Sequence, residues 1–247
     1  MNATRRLWIG AVDALRAWHR FEVRGLEHLL TDEPMLVVGY HGRPIAHDMI
    51  LLQNVLHERL GYLPHPIVHG YAGDNKVLKQ VIDDLGFVTG DGGDLRAALD
   101  AGEHVFVTPG ATKEGCRPFT DRYRVNWGRR RGYLKLAIRH GLRIVPVGAH
   151  GSDAVYVGLN DGYAWGKRLG MPYGLPAWVG LGIGGLWPLA APLPVKIRQR
   201  VGAPIDLRHV DPADADAMEA AHSQVVGAVQ GLLDTARADA HGARRAA

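Results

Sequence analysis

The chain has 247 residues, enough for one substantial hydrophobic core and no reason to demand a second domain. Its 29 Lys and Arg against 25 Asp and Glu leave a net charge of +4, an excess too small to argue for nucleic acid. The single cysteine, Cys116, excludes an internal disulfide and a thiolate-rich metal site, and no run of about 18 apolar residues predicts a transmembrane helix.

Residues 5–19 place Leu7, Trp8, Ala11, Val12, Leu15 and Trp18 on one helical face with arginines on the flanks. Two readings suit this N-terminal amphipathic helix, assigned to 1–20: packing on the domain, or lying on a membrane surface; both hold together if it packs by its ends and touches lipid by its tryptophans. A globular domain is assigned to 21–238. Within it the sequence alternates strand and helix: strands at 21–24 and 35–39, a helix at 46–60, a strand at 66–69, a helix at 75–85, and an extended piece at 87–89. A helix over 94–100, a strand over 104–107, a helix over 131–140 stopped by Gly141, and a strand over 144–147 follow. This alternation predicts a single α/β domain, a mostly parallel central sheet flanked by helices. Residues 195–201 resume as a strand, 212–238 read as an Ala-rich closing helix, and 239–247 as a flexible tail.

Residues 158–194 break the pattern, being rich in Gly, Pro and Trp; from Pro176 to Pro194 there is no charged residue. Such a segment is either a buried cover for the core or an apolar wall for an acyl chain or bilayer. The basic residues are bunched, with Arg5, Arg6, Arg16 and Arg20 near the N-terminus and Arg122, Arg124, Arg129, Arg130 and Arg131 further on. Bunching of this kind suits phosphates or an anionic lipid surface.

Two strand ends carry titratable residues, and in an α/β sheet that edge is where ligands bind. After 35–39 comes Tyr40-His41-Gly42-Arg43-Pro44-Ile45-Ala46-His47-Asp48; after 104–107 comes Thr108-Pro109-Gly110-Ala111-Thr112-Lys113-Glu114. His41 is suited to accept a proton, and Asp48, in the first turn of the next helix, could fold back on it. Asp48 is equally good helix-start chemistry, and His47 competes for the base role. Lys113 and Glu114 read as a solvated pair or as ligand groups, and Cys116 as a passive small residue. Gly180-Leu181-Gly182-Ile183-Gly184-Gly185 lacks the strand-turn-helix unit of a dinucleotide site, and Asp91-Gly92-Gly93-Asp94 reads as a turn without a phosphate-loop Lys. No Gly-x-Ser-x-Gly elbow occurs, and the 13 histidines show no metal-ligand spacing, so no metal is expected.

Taken in order, several blocks resemble the glycerolipid acyltransferase superfamily (lysophospholipid and 1-acylglycerol-phosphate acyltransferases), in its monoacylglycerol and diacylglycerol acyltransferase branch. They are Phe21 to Leu29, the His41 stretch, Pro109 to Glu114, Tyr123-Arg124-Val125-Asn126-Trp127, Arg130 to Ile138, Gly141 to Val147, Pro192-Leu193-Pro194, and Val201-Gly202-Ala203-Pro204-Ile205. The superfamily's His-x-x-x-x-Asp becomes His41 and Asp48 with six residues between, and the branch's Pro-Gly-Gly carries Ala111 at its second Gly. The resemblance implies an acyltransferase domain that moves a fatty acyl group from acyl-CoA or acyl carrier protein to a hydroxyl of a glycerolipid or lysophospholipid, without a further cofactor. It implies His41 as general base oriented by Asp48, with Gly110, Lys113, Glu114, Arg117, Arg122 and Arg124 holding substrate. Peripheral contact with the inner face of a membrane from the cytoplasm is the expected location. The rivals are a thioesterase or lipid hydrolase on the same fold, and an inactive lipid-binding protein.

Overall fold

The computed structural model describes residues 2–68, 76–90 and 92–245, the side chains of 76–78 and 243–245 excepted. Helix α1 (Ala3–Trp18) starts behind Asn2, whose side chain accepts a hydrogen bond from the Arg5 N–H at 2.8 Å. Then come β1 (Glu22–Arg24), β2 (Met35–Gly39), α2 (His47–Leu60), β3 (His65–Val68), α3 (Lys76–Leu85), β4 (Val88–Thr89), α4 (Gly93–Asp100) and β5 (Val105–Val107). The second half holds α5 (Ala111–Gly115), α6 (Gly132–Arg139), β6 (Arg143–His150), β7 (Val157–Gly158), α7 (Tyr163–Arg168), β8 (Gly180–Gly182), β9 (Gly185–Leu186), β10 (Arg198–Val201) and α8 (Ala215–Arg245).

Seven strands form one sheet in the order β1-β10-β6-β2-β5-β3-β4. The five from β6 to β4 are parallel; β10 runs antiparallel to β6 and carries β1 parallel to itself. β2 sits in the middle because every residue of it is buried, as a strand covered on both faces requires. Its alternate residues serve two layers. Leu36 and Val38 meet α6 and α8 through Leu134, Val229 and Leu233, whereas Met35 and Val37 meet α2 through Met49, Leu52 and Leu56. Gly148 of β6 lets α8 approach closely, since a Cβ there would lie 2.5 Å from the Leu233 nitrogen. β7, β8 and β9 form a small second sheet.

The α/β architecture expected from the sequence is the one found, with differences at the closing helix and at β6. The closing helix starts at Ala215 and runs to Arg245, so the segment expected as a tail from 239 is helical through its described part. Asp239 accepts from Arg200 Nε at 2.9 Å and Ala240 is buried, which anchors a stretch already rich in good helix formers. β6 is twice as long as read, because its partner β10 pairs with Gly148, Ala149 and His150. Helix α1 packs on the domain: Trp8, Val12 and Leu15 join the core beneath it. Thr4 donates to Asp84 at 2.6 Å and Arg16 to Asn54 at 2.6 Å, so part of its polar flank is spent internally. The expected strand end at His69, helix start at Asn75 and turn residue Asp91 lie outside the described residues.

Candidate active site

His41 stands just beyond the carboxyl end of β2, and the loop from Gly42 to Ala46 carries the chain into α2. That loop is fixed from below. The buried Arg43 side chain donates to the carbonyls of Asp153 and Pro118, each at 2.5 Å, and Ala46 takes a left-handed φ of 55°. Tyr40 donates its hydroxyl to the Asp153 carboxylate, which also accepts the Tyr123 N–H at 2.7 Å.

The His41 ring is oriented by backbone. Its Nδ1 lies 3.1 Å from the Gly42 carbonyl, an acceptor only, so Nδ1 carries the hydrogen and Nε2 keeps its lone pair. No described residue hydrogen-bonds Nε2, and His41 lines a cavity of about 820 Å³. Burial, helped by the nearby Arg117 cation, pulls the imidazole pKa down from 6.5 to about 4, so the ring is neutral and a proton acceptor at neutral pH.

Asp48 does not meet the imidazole as the spacing suggested. One carboxylate oxygen accepts from the Gly42 N–H at 3.2 Å, and the other has no hydrogen-bond partner among the described residues. The left-handed turn at Ala46 brings the helix start under the backbone after His41 rather than under its ring. Gly42 permits this, because a Cβ there would stand 2.6 Å from that Asp48 oxygen. Burial, with the Asp153 charge adding to it, raises the Asp48 carboxyl to about 8. His47, the other candidate base, is buried with Nδ1 donating to the Arg43 carbonyl at 2.8 Å, and does not line the cavity.

The cavity runs across the carboxyl edge of the sheet, from His41 beyond β2, past Thr108 beyond β5 and Val68 on β3, to Gly90 beyond β4. Three strand spacings make that run roughly 14 Å. Met49, Ile50, Ile67, Phe87 and Phe106 make its walls apolar, while Thr112, Lys113, Arg130 and Tyr163 are polar residues on its border. A second cavity, of about 380 Å³, shares Lys113 and Tyr163 with the first and adds Arg117, Asp121, Arg124, Asn126 and Asp161. An apolar channel and a polar pocket therefore share a border at α5, whose Gly115 packs directly on the His41 ring.

The family follows from the sequence downstream of this loop. Residues 75–243, more than half of the chain, match the model of the family described as diacylglycerol acyltransferase. The chain belongs to the diacylglycerol acyltransferase family. An uncharacterized protein of Mycobacterium leprae is 30% identical over 213 residues, covering 81% of this chain and 55% of that protein. The "DGAT1/2-independent enzyme synthesizing storage lipids" of Gallus gallus is 29% identical over 150 residues, 57% of this chain and 44% of that protein. The chain thus spans about half the length of these relatives. Its fold resembles the crystal structure of the 1-acyl-sn-glycerophosphate acyltransferase of Thermotoga maritima, with a TM-score of 0.55 and 17% identity over 92% of this chain and 78% of that one.

Within this family member the expected substrate residues divide. Lys113 lines both cavities, and Arg117 and Arg124 line the polar one. Gly110 is buried against the Glu114 carboxylate, leaving no room for a Cβ. Glu114 lines neither cavity. Its fully buried carboxylate accepts from the N–H groups of His41 at 3.1 Å and Asn126 at 2.7 Å and from Trp127 Nε1 at 3.1 Å, so it braces the loop instead of facing solvent. Arg122 also lines neither cavity; its guanidinium lies 4.0 Å over the Phe119 ring. Arg130, Thr112 and Tyr163 were not singled out as site residues by the sequence. Arg130 reaches the cavity by donating to the Pro109 and Gly110 carbonyls, and Thr112 and Tyr163 pair their hydroxyls at 3.1 Å. Cys116 is buried and its thiol is pushed up to about 12, which removes it as a nucleophile at neutral pH. Among the described residues no cluster of His, Cys, Asp and Glu could hold a metal ion.

These shifts fix how stability should vary with pH. The unfolded chain binds protons on His41 and His47 near pH 6.5, whereas the folded chain does so only near pH 4, so their stabilising contribution is present above 6.5 and lost as pH falls through 4. Asp48 acts oppositely: its contribution is full below pH 3.8 and is lost as pH rises through about 8. Two histidines outweigh one aspartate below pH 6.5, and Asp48 acts alone of the three above it. Urea melts should therefore show greatest stability near pH 6.5, with a decline toward pH 8 of up to about 1.4 kcal/mol per pH unit that Asp48→Asn removes. An unchanged decline in that variant would exclude Asp48 as its source.

Proposed function

We propose that the protein is an O-acyltransferase that moves a fatty acyl group from a thioester donor, acyl-CoA or acyl carrier protein, to a hydroxyl of a glycerolipid or lysophospholipid. The observation that carries this reading is the position of His41, whose neutral Nε2 has no hydrogen-bond partner among the described residues and which stands where an apolar channel borders a polar pocket. The acceptor hydroxyl gives its proton to Nε2 as its oxygen attacks the thioester carbonyl carbon. The carbon–sulfur bond then breaks, and the departing thiolate takes the proton back from the imidazolium. Lys113 and Arg130, both at the border, stabilise the developing oxyanion, while Lys113, Arg117 and Arg124 favour an acceptor or donor group bearing phosphate. Asp48 acts as a positioning residue through the Gly42 N–H. No nucleophilic side chain is needed.

Incubating the protein with radiolabelled acyl-CoA or acyl carrier protein and a panel of monoacylglycerol, diacylglycerol, lysophosphatidate and a long-chain alcohol tests this directly. Ester should form with at least one acceptor. Release of free fatty acid at the same rate with and without acceptors would overturn the reading in favour of a hydrolase, and no turnover with intact lipid binding would favour an inactive carrier.

Chain length is expected to respond to the far side of the channel. Val68→Trp places an indole beside β4, so kcat/KM for long-chain donors should fall at least about tenfold while short-chain donors are little affected, because overfilling a packed site costs about 1–3 kcal/mol. Equal losses for both would place the acyl chain elsewhere.

A further inference from the structure

We propose that the unit formed by residues 157–191 is the platform on which the protein docks to an anionic bilayer, with the channel mouth against the lipid. Why a bilayer is met there rests on the acyl-transfer reading; that it is met there rests on the surface alone. Among the described residues, 14 large apolar side chains are exposed, and 9 of them lie from Leu159 to Leu189. Leu189 is 96% exposed, Leu169 68%, Tyr173 61% and Trp165 60%, levels that a monomer in water tolerates singly but not clustered.

The unit is built rigidly enough to present them. Trp178 is buried between Gly158 and Gly180, Tyr156 donates its hydroxyl to the Ala190 carbonyl at 2.9 Å, and Ala177 N–H donates to the Gly162 carbonyl at 2.9 Å. It adjoins the channel, since Tyr173 is both exposed and part of the channel lining; Ile45 of the His41 loop is a second residue of that kind.

Charge selects the occupant. From residue 162 to 205 the sequence contains no Asp or Glu, while α7 carries the exposed cations Lys167 and Arg168. A second copy docked by the same patch would bring four such cations together, with Asp161 the one carboxylate of each unit to offset them. Anionic headgroups supply that counter-charge, and the leucines and Trp165 supply the apolar insertion. Helix α1, basic and Trp-bearing in sequence, is the weaker candidate because Trp8, Val12 and Leu15 are already packed in the core.

Co-sedimentation with vesicles separates these surfaces, using phosphatidylcholine alone and phosphatidylcholine with about one-third phosphatidylglycerol. The triple variant Leu181→Ser, Leu186→Ser, Leu189→Ser should bind both at least about tenfold more weakly, each leucine contributing through buried apolar area. Lys167→Gln with Arg168→Gln should lose about fivefold per residue on the anionic vesicles only, with a flatter salt dependence. Leu7→Ser on α1 should bind as the wild type does. Wild-type levels of vesicle binding in the triple variant would overturn the platform, as would loss of self-association without loss of vesicle binding. A water-soluble short-chain donor and acceptor, assayed without vesicles, keeps the two readings apart. Ester formation unchanged in the variants leaves the reaction standing whatever the vesicles show, and vesicle binding by a protein that makes no ester leaves the platform standing alone.

Discussion

Replacing His41 with alanine is expected to lower acyl transfer by about 10²–10⁴-fold, the usual contribution of a positioned general base. The ring is half-buried at the channel and among the described residues makes one hydrogen bond, to the Gly42 carbonyl, so the loop should survive its removal. Three bonds that do not involve the ring hold that loop: Glu114 to the His41 N–H, and Arg43 to the carbonyls of Asp153 and Pro118. Thermal unfolding should accordingly change little while ester formation collapses. The wild-type pH profile supplies a second check. Because burial holds the imidazole near 4, kcat/KM should rise through about pH 4 and be level at neutrality, not rise through the ordinary histidine value of 6.5. A variant with half the wild-type activity would remove His41 from the chemistry altogether.

Glu114→Ala should do the opposite, destabilising the fold more than it alters recognition. It strips one buried and two part-buried donors of their shared acceptor and removes the carboxylate beside the buried Arg117 guanidinium. An unsatisfied buried donor costs about 1–3 kcal/mol and a part-buried one less, so a loss of about 3 kcal/mol lowers Tm by about 6–12 °C in a chain of this size. A residue that merely gripped the acceptor would give the reverse result, an unchanged Tm with a raised acceptor KM, and that outcome would return Glu114 to the substrate. Lys113→Ala, by contrast, should raise KM with Tm intact, since Lys113 is exposed and lines both cavities.

The contrast between Lys113 and Glu114 shows where sequence reading stopped. Adjacent in the chain, they look like one solvated pair, yet the first lies on the surface and the second is sealed beneath Trp127 and Asn126. Nothing in the pattern Pro109 to Glu114 announces that separation, because it is made by residues a dozen positions on. The apolar run of β2 was legible, and so was the strand-end location of His41, since both depend on local periodicity. The contact expected between Asp48 and the imidazole was not, because it turns on the left-handed φ of Ala46, a conformation that alanine does not advertise. Ala111 poses the same difficulty: at φ 47° it occupies a backbone state that the Gly of the related Pro-Gly-Gly turn would take without strain. Arg122 was read from its charge alone and proves to rest on Phe119. For α1, the packing on the domain is one of the readings its amphipathic face offered, made through Trp8, Val12 and Leu15.

The channel lies across the strand ends instead of along a helix groove, and under the proposed function this would give acyl selectivity a particular grain. A chain threaded from His41 toward Gly90 passes one strand terminus every ~4.8 Å. For such a chain the sheet edge would be a ruler whose graduations are fixed by backbone hydrogen bonding. A single bulky side chain at the end of β5, β3 or β4 would shorten the accepted chain by whole graduations, leaving His41 and its loop untouched. Divergent members of such a lineage could change the lipid they carry by editing one mark at a time.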